Sequence, residues 1–386
     1  MAKLLEVFLV FLRLGCTSFG GPVAHLAYFH REFVARRRWL DDAAFGECVA
    51  LTQLLPGPGS SQTGMLVGWL AAGPLGALAA WIAFTLPSAA AMTAIALLAP
   101  HGSLHAGAQH GLLVVAAAVV ASAIVTMRTT LAPDTARLAF ALAVFALVLA
   151  LPLPIVTPLA IAAAAACGAL LLYGRIPTNA PTLDLRVSRR AGTIVFALFL
   201  AAFVALAAWA AHGARDAALA QTLFRVGSLV FGGGHVVLPL LQTQVASAGL
   251  VDQRAILSGY AAAQAMPGPL FTIASYVGAR ALGSVQGALL GTLAIFAPSF
   301  FLLVGVAPFY RTLASNERFR AALAGANAGV VGLLAAALVT PILATAIHSF
   351  ADVVVAIAAF FALHVAKLPA WSVVILGALA GFVLGG

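Results

Sequence analysis

The sequence predicts an all-α integral membrane protein. It reads as two inverted-topology repeats, each with two re-entrant or broken helical hairpins plus about four spanning helices, joined by one extra helix. Three observations predict this. Hydrophobic residues make up 63% of the chain and charged residues 8%, where a soluble domain carries roughly 25% charge; the mean hydropathy is +1.08. An unusual phrase occurs twice, as Arg13-Leu14-Gly15-Cys16-Thr17-Ser18-Phe19-Gly20-Gly21 and as Arg225-Val226-Gly227-Ser228-Leu229-Val230-Phe231-Gly232-Gly233. Finally, arginines cluster in short segments between apolar runs, as the positive-inside rule requires.

The duplication extends along the chain. Gln53-Leu54-Leu55-Pro56-Gly57-Pro58 is echoed by Gln264-Ala265-Met266-Pro267-Gly268-Pro269, and Pro87-Ser88 by Pro298-Ser299. Repeat one therefore covers 1–173 and repeat two 219–386; 174–218 holds a polar linker and an unmatched apolar helix at 191–211. Segment 4–33 breaks at Gly20-Gly21-Pro22, and segment 45–72 at Pro56-Gly57-Pro58. Four ordinary spans follow, starting with 74–99 and 104–127, apolar runs long enough for the roughly 20 residues that cross a bilayer.

Arg31, Arg36, Arg37 and Arg38, the linker arginines, Arg128 with Arg137, and Arg311 with Arg318 and Arg320 are placed on the cytoplasmic side. The loop 100–110 carries His101, His105 and His110 but no Lys or Arg, and is placed outside. These sides agree only if 45–72 enters and returns on one face. The helix 191–211 then crosses outward, so the hairpins at 219–249 and 254–281 enter from the opposite face and the repeats run antiparallel.

The net charge of +9 sits in these loops and gives no reason to invoke nucleic acid. Cys16, Cys48 and Cys167 have neither paired nor metal-ligand spacing, and no cleavable signal peptide, nucleotide loop, nucleophile elbow or zinc signature is evident. No metal or cofactor is expected, nor an enzyme.

Repeated Gly/Pro breaks in matched apolar segments are the sequence pointer to a secondary transporter's binding site. Glycine allows sharp turns and close backbone approach. Irregular backbone at membrane depth is tolerated only inside protein or a wet cavity, and a half-helix N-terminus offers free N–H groups to an anion. The candidate substrate-binding residues are Phe19, Gly20, Gly21, Gln53, Pro56, Gly57, Ser60, Ser61 and Gln62, with Phe231, Gly232, Gly233, Gln264, Pro267, Gly268 and Thr272 in the second copy. Helix packing through small residues is the alternative for the glycines, and back-bonding to helix carbonyls for the hydroxyls.

Arg13 and Arg225 are permanent charges at equivalent apolar positions, suited to gripping an oxyanion by their planar forks; snorkelling to the interface is their alternative. Glu47, His25 and His235 are candidates for proton coupling. For Glu47 a pair with a nearby arginine is equally open, and the histidines also suit plain hydrogen-bonded roles.

Phe19-Gly20-Gly21-Pro22 with His25, Gln53 through Pro58, Phe231-Gly232-Gly233-Gly234-His235-Val236-Val237-Leu238-Pro239, and Met266-Pro267-Gly268-Pro269 resemble the signatures of the chromate transporter (chromate ion transporter) family in its long, two-domain form. The resemblance covers nearly the whole chain. It implies chromate export across the bacterial inner membrane driven by the proton motive force, conferring chromate resistance. Sulfate is nearly isosteric with chromate and stays open as substrate. The implied partners are a dianionic oxyanion, membrane lipids and protons, with a homodimer left open. A membrane-embedded enzyme and an anion channel are the readings from other classes; the first lacks a catalytic set of acids, and a channel would share the hairpins, so saturable, proton-dependent flux is the measurement that would separate a carrier from it.

Overall fold

The computed structural model describes residues 2–19, 21–98, 106–151, 153, 156–176, 185–230 and 237–384. All regular structure among them is helical. Gly20, Phe231, Gly232, Gly233 and His235, the loop histidines His101 and His105, and 177–184 of the linker lie outside the described residues.

The first hairpin is α1 (Ala2–Thr17) and α2 (Gly21–Phe29), the latter running on as a wider π-helical turn over His30–Arg36. Aromatic packing holds its arms together. Phe11 of α1 stacks on Phe33 with centroids 4.9 Å apart and meets Phe29 edge-on at 5.6 Å. The second hairpin opens with α3 (Asp42–Leu54), whose N-terminus is capped by the Asp41 carboxylate accepting from the Ala44 N–H at 2.8 Å. Leu55-Pro56-Gly57-Pro58 then breaks the helix. α4 (Gly59–Leu98) folds back, and Thr52 meets Thr63 across the break at 3.0 Å.

α4 is two helices in one. Ala72 and Gly73 leave helical geometry ahead of Pro74, and Gly73 takes φ +69°. The second half also breaks at a positive-φ glycine, Gly283 (φ +63°), between α12 and α13. Both positions need a positive φ, which glycine adopts without a Cβ clash.

α5 (Ala106–Leu131), α6 (Thr135–Ala150) and α7 (Val156–Leu171) complete the first half. α8 (Arg189–Ala210) joins the halves. The second half repeats the order with α9 (Arg215–Leu229), α10 (Val237–Gln244), α11 (Gln253–Ala265), α12 (Ile273–Leu282) and α13 (Val285–Val306). Then come the short α14 (Tyr310–Ser315), α15 (Glu317–Ala337) with a wide turn leading to α16 (Ala344–Ala346), α17 (Phe350–His364) and α18 (Ala370–Leu384).

Among the described residues, five helical segments are long and apolar enough to cross a membrane, and five further apolar helices are shorter. The expectation of four ordinary spans after each hairpin pair is therefore met only in part. α6 and α7 have 16 residues each, about 24 Å at 1.5 Å per residue, less than the roughly 30 Å hydrocarbon core. The Asp134 cap and the prolines that follow Leu151 in the sequence set the limits of α6.

The two halves are interleaved. α5 of the first half packs on α17 and α18 of the second, while α15 of the second packs on α6 and α7 of the first. Glycines set the close crossings: Gly111 lies against Gly377, and Gly168 against Gly325. α8 leans on α9 and α13 through Phe199, which contacts Phe203 and Phe224 at 5.2 and 5.7 Å. Much of α8 is outward-facing, with Ile194, Leu198 and Val204 exposed. Leu75, Leu78, Ile82 and Leu86 form a similar exposed stripe on α4. With several long apolar helices, these faces mark a multi-pass membrane protein.

Candidate functional site

The broken segments cross-pair between the halves. The Gly57 N–H donates to the Val230 carbonyl at 2.7 Å, and the Gly268 N–H donates to the Ser18 carbonyl at 2.9 Å. Ser18 and Val230 are the residues immediately before the two Phe-Gly-Gly sequences. The physical cause lies in the chain chemistry. A helix that stops leaves carbonyls without intrahelical donors. In Pro-Gly-Pro only the glycine has an N–H to offer.

Both glycines sit where no other residue fits. Gly57 has φ +121° and Gly268 φ +94°. A Cβ on Gly57 would stand 2.6 Å from Gln62 Nε2 and 2.7 Å from Ser299 Oγ. One on Gly268 would stand 2.8 Å from Ser88 Oγ, 3.2 Å from the Phe84 carbonyl and 3.3 Å from that of Gly15. Each Pro-Gly-Pro break thus presses on the Pro-Ser motif of the other half.

Side chains tie this region together. Gln62 Nε2 donates to the Pro56 carbonyl at 2.7 Å and to Ser299 Oγ at 3.2 Å. His25, buried on α2, has Nε2 3.2 Å from the Ser18 carbonyl and Nδ1 3.2 Å from Ser60 Oγ. A carbonyl can only accept, so these partners assign the proton to Nε2 and leave Nδ1 to accept from the Ser60 hydroxyl. Thr272 Oγ1 donates to the Pro269 carbonyl at 2.7 Å. Four buried polar atoms in the same segments, Ser18 Oγ, Ser61 Oγ, Gln62 Oε1 and Thr85 Oγ1, find no hydrogen-bond partner among the described residues. Unsatisfied buried polar groups are costly and call for an explanation; hydrogen bonding to a polar ligand is one.

Of the other expected residues, Phe19 reaches the second half and meets Trp371 at 6.2 Å. Gly21 opens α2 with φ +76°. Pro56 and Pro267 flank the paired glycines and are half-buried. The equivalent glutamines differ: Gln53 is exposed to a cavity, while Gln264 is buried and hydrogen-bonded to Tyr260.

The two arginines also differ. Arg13 pairs with Glu32, Nη2 to Oε2 at 2.6 Å. Glu32 is buried and also takes Arg37 at 2.6 Å and Arg36 at 3.2 Å, while Arg37 reaches Glu6 and Lys3 pairs with Glu6 at 3.1 Å. Lys3, Arg13, Arg36 and Arg37 outnumber Glu6 and Glu32, so the cluster stays positive. Arg225, its repeat counterpart, is exposed on α9.

Glu47 and Gln53 line a cavity of about 640 Å³ that also includes Arg137, Tyr310, Arg320 and Asn327. Arg320 donates to the Ala314 carbonyl at 2.6 Å. Arg137 pairs with Asp134 at 2.7 Å. The Arg137 N–H and then its guanidinium hold the Asp134 carboxyl below the usual carboxylate range, against a smaller opposing effect of burial. The cavity is built from both halves, since α3 supplies Glu47 and Gln53 while α14 and α15 supply Tyr310, Arg320 and Asn327.

Sequence reasoning missed Ser88 and Ser299 as members of the site, although the matched Pro-Ser pairs were the available signal. It read Arg137 and Arg320 only as markers of sidedness. Tyr310 and Asn327 carry no local signal at all.

A family model described as chromate transporter matches residues 5–169 and 217–382. The chain is 29% identical over 348 residues to a chromate transport protein of Pseudomonas aeruginosa, covering 86% of this chain and 79% of the relative. It is 27% identical over 331 residues to a probable chromate transport protein of Synechococcus elongatus, covering 85% and 82%. It is 26% identical over 347 residues to an uncharacterized transporter of Methanocaldococcus jannaschii, covering 86% and 83%. No solved structure matches it.

Proposed function

The chain belongs to the chromate transporter family, and from that membership we propose that it is a secondary active carrier that exports chromate across the bacterial inner membrane, driven by the proton motive force. The observation that carries this reading is the crossed pairing of Gly57 with Val230 and of Gly268 with Ser18. It draws four helix breaks from two halves into one region, where three buried hydroxyls and the Gln62 amide oxygen stand without partners among the described residues. A tetrahedral dianion losing its water there would gain neutral hydroxyl donors from Ser61 and Ser18. Arg225 and the positive cluster around Arg13 would compensate its charge and raise its local concentration.

The reading includes antiparallel repeats, with α8 inverting the second copy. It also takes the cavity at Gln53 as the route to one side of the membrane. Gln53 faces open space while its counterpart Gln264 is closed in, as expected of a carrier caught open to one side only. Exchange of the two conformations between repeats would open the other side. His25 and Glu47 are the coupling candidates within this scheme, with His235 a third that lies outside the described residues. Sulfate is the alternative substrate, favoured by the same donor chemistry.

Chromate flux into proteoliposomes, with and without an imposed pH gradient, tests the proposal. Saturable flux that rises with the gradient and yields little to excess sulfate is the expected result. Flux indifferent to the gradient would remove proton coupling, and equal inhibition by sulfate would remove chromate selectivity.

A further inference from the structure

A second polar cluster lies at the other end of α5 from the cavity at Gln53. His110 sits near the start of α5, and the large cavity reaches Thr130 and Leu131 at that helix's other end. The separation along the helix is about 30 Å at 1.5 Å per residue. There His110, His348 and Asp352 bring one ligand atom each within 4.8 Å of one another. They line a cavity of about 250 Å³ closed on a third side by Gly381 of α18.

The two oxygens of Asp352 do different things. Oδ2 accepts the His348 and Ser349 N–H groups at 2.9 and 2.8 Å, which caps α17. That task needs only one oxygen. Oδ1 is turned away from the cap and meets His110 Nε2 at 2.7 Å. A carboxylate used for capping alone has no need of a histidine from the other half of the chain. His348 lies over His110 with ring centroids 5.3 Å apart, and its side chain is exposed and able to turn.

We propose that His110, His348 and Asp352 form a binding site for a transition-metal cation, with Zn²⁺ as the best fit. Two imidazoles and one carboxylate are the donor set that Zn²⁺ takes, with a fourth position left for water. Ca²⁺ and Mg²⁺ prefer oxygen-rich shells and are disfavoured. Binding replaces the proton shared by His110 and Asp352 with the metal, and the proton leaves to solvent. The 2.7 Å contact then opens to about 3.3 Å, the ligand spacing of a tetrahedron with bonds of about 2.0 Å. Because His110 belongs to α5 and the other two ligands to the α17 region, the metal clamps the halves together at the end opposite the large cavity.

The experiment is calorimetric titration of the full, detergent-purified protein with ZnCl₂, repeated with CaCl₂ and MgCl₂. The wild type should bind one Zn²⁺ per chain with Kd on the order of 1–10 µM, and neither of the other ions. His110→Ala, His348→Ala and Asp352→Asn should each weaken this by more than about tenfold. Zn²⁺ should also raise the melting temperature of the wild type and not that of His348→Ala. His348→Ala decides the matter if the buried variants do not fold, since its side chain is exposed; an unchanged elution volume and chromate flux without zinc verify its fold. Absence of Zn²⁺ binding by the wild type, or undiminished binding by His348→Ala, overturns the site. Neither result bears on whether the protein carries chromate.

Discussion

The Gly57 N–H donates to the Val230 carbonyl at 2.7 Å, and its repeat counterpart Gly268 donates to Ser18 at 2.9 Å. Each half therefore completes the broken helix of the other. In each Pro-Gly-Pro the glycine supplies the sole N–H, because Pro56, Pro58, Pro267 and Pro269 have none. The packing around the pairs repeats as well: Ser299 crowds Gly57 and Ser88 crowds Gly268.

Gly57→Ala and Gly268→Ala should both cripple transport. Each adds a Cβ within 3 Å of a neighbouring side-chain atom and forces an L-residue into a left-handed backbone. The strain is about 1–3 kcal/mol at each position. Chromate flux and thermal melting of the two variants should fall together. Normal flux through either one would show that its break is not part of the transport path.

Arg13 and Arg225 should behave differently despite their equivalent positions. Arg13 is bound by Glu32, so Arg13→Ala should lower the melting temperature, and Glu32→Ala should lower it further by leaving three guanidinium groups around an empty centre. In a double-mutant cycle the two losses should not add. Arg225→Ala should instead leave the melting temperature in place and raise the apparent KM for chromate by about tenfold or more, the scale of a lost charged hydrogen bond. An unchanged KM would reduce Arg225 to an interfacial anchor.

Gln53 and Gln264 offer a test of the one-sided opening. Gln53→Cys should react with a water-soluble maleimide in the resting protein, while Gln264→Cys should not, since it is 6% exposed. Chromate together with a pH gradient should slow labelling at the first position and speed it at the second. Equal, gradient-independent labelling at both would contradict alternation between repeats.

The antiparallel arrangement predicts that 211–213 and the linker face opposite sides of the membrane. His212→Cys should be labelled from outside the cell and Arg186→Cys only after permeabilisation, in a background without Cys16, Cys48 and Cys167. His212 suits the purpose better than Arg215, whose guanidinium ties down the Ala281 and Leu250 carbonyls at 2.9 Å each. Labelling of both from one side would end the inverted-repeat reading.

The sequence by itself determined that the chain is helical and membrane-embedded, and where its helices break. Those features depend on residue type alone: apolar runs, glycines that allow a turn and prolines that withhold a donor. The repeated Phe-Gly-Gly and Pro-Gly-Pro motifs could be read without knowing what they touch. Only the tertiary structure decided that each motif is completed by its partner in the other half, and that Ser88 and Ser299 press on the opposing glycines. It also decided that Arg13 is paired with Glu32 while Arg225 is exposed. Equivalent residues in a repeat have the same local sequence but not the same neighbours, and charge compensation depends on neighbours. The same reason hid His110, His348 and Asp352. Two lie four residues apart near the start of α17, but His110 is far away along the chain, and only the packing of α5 against α17 brings it within reach.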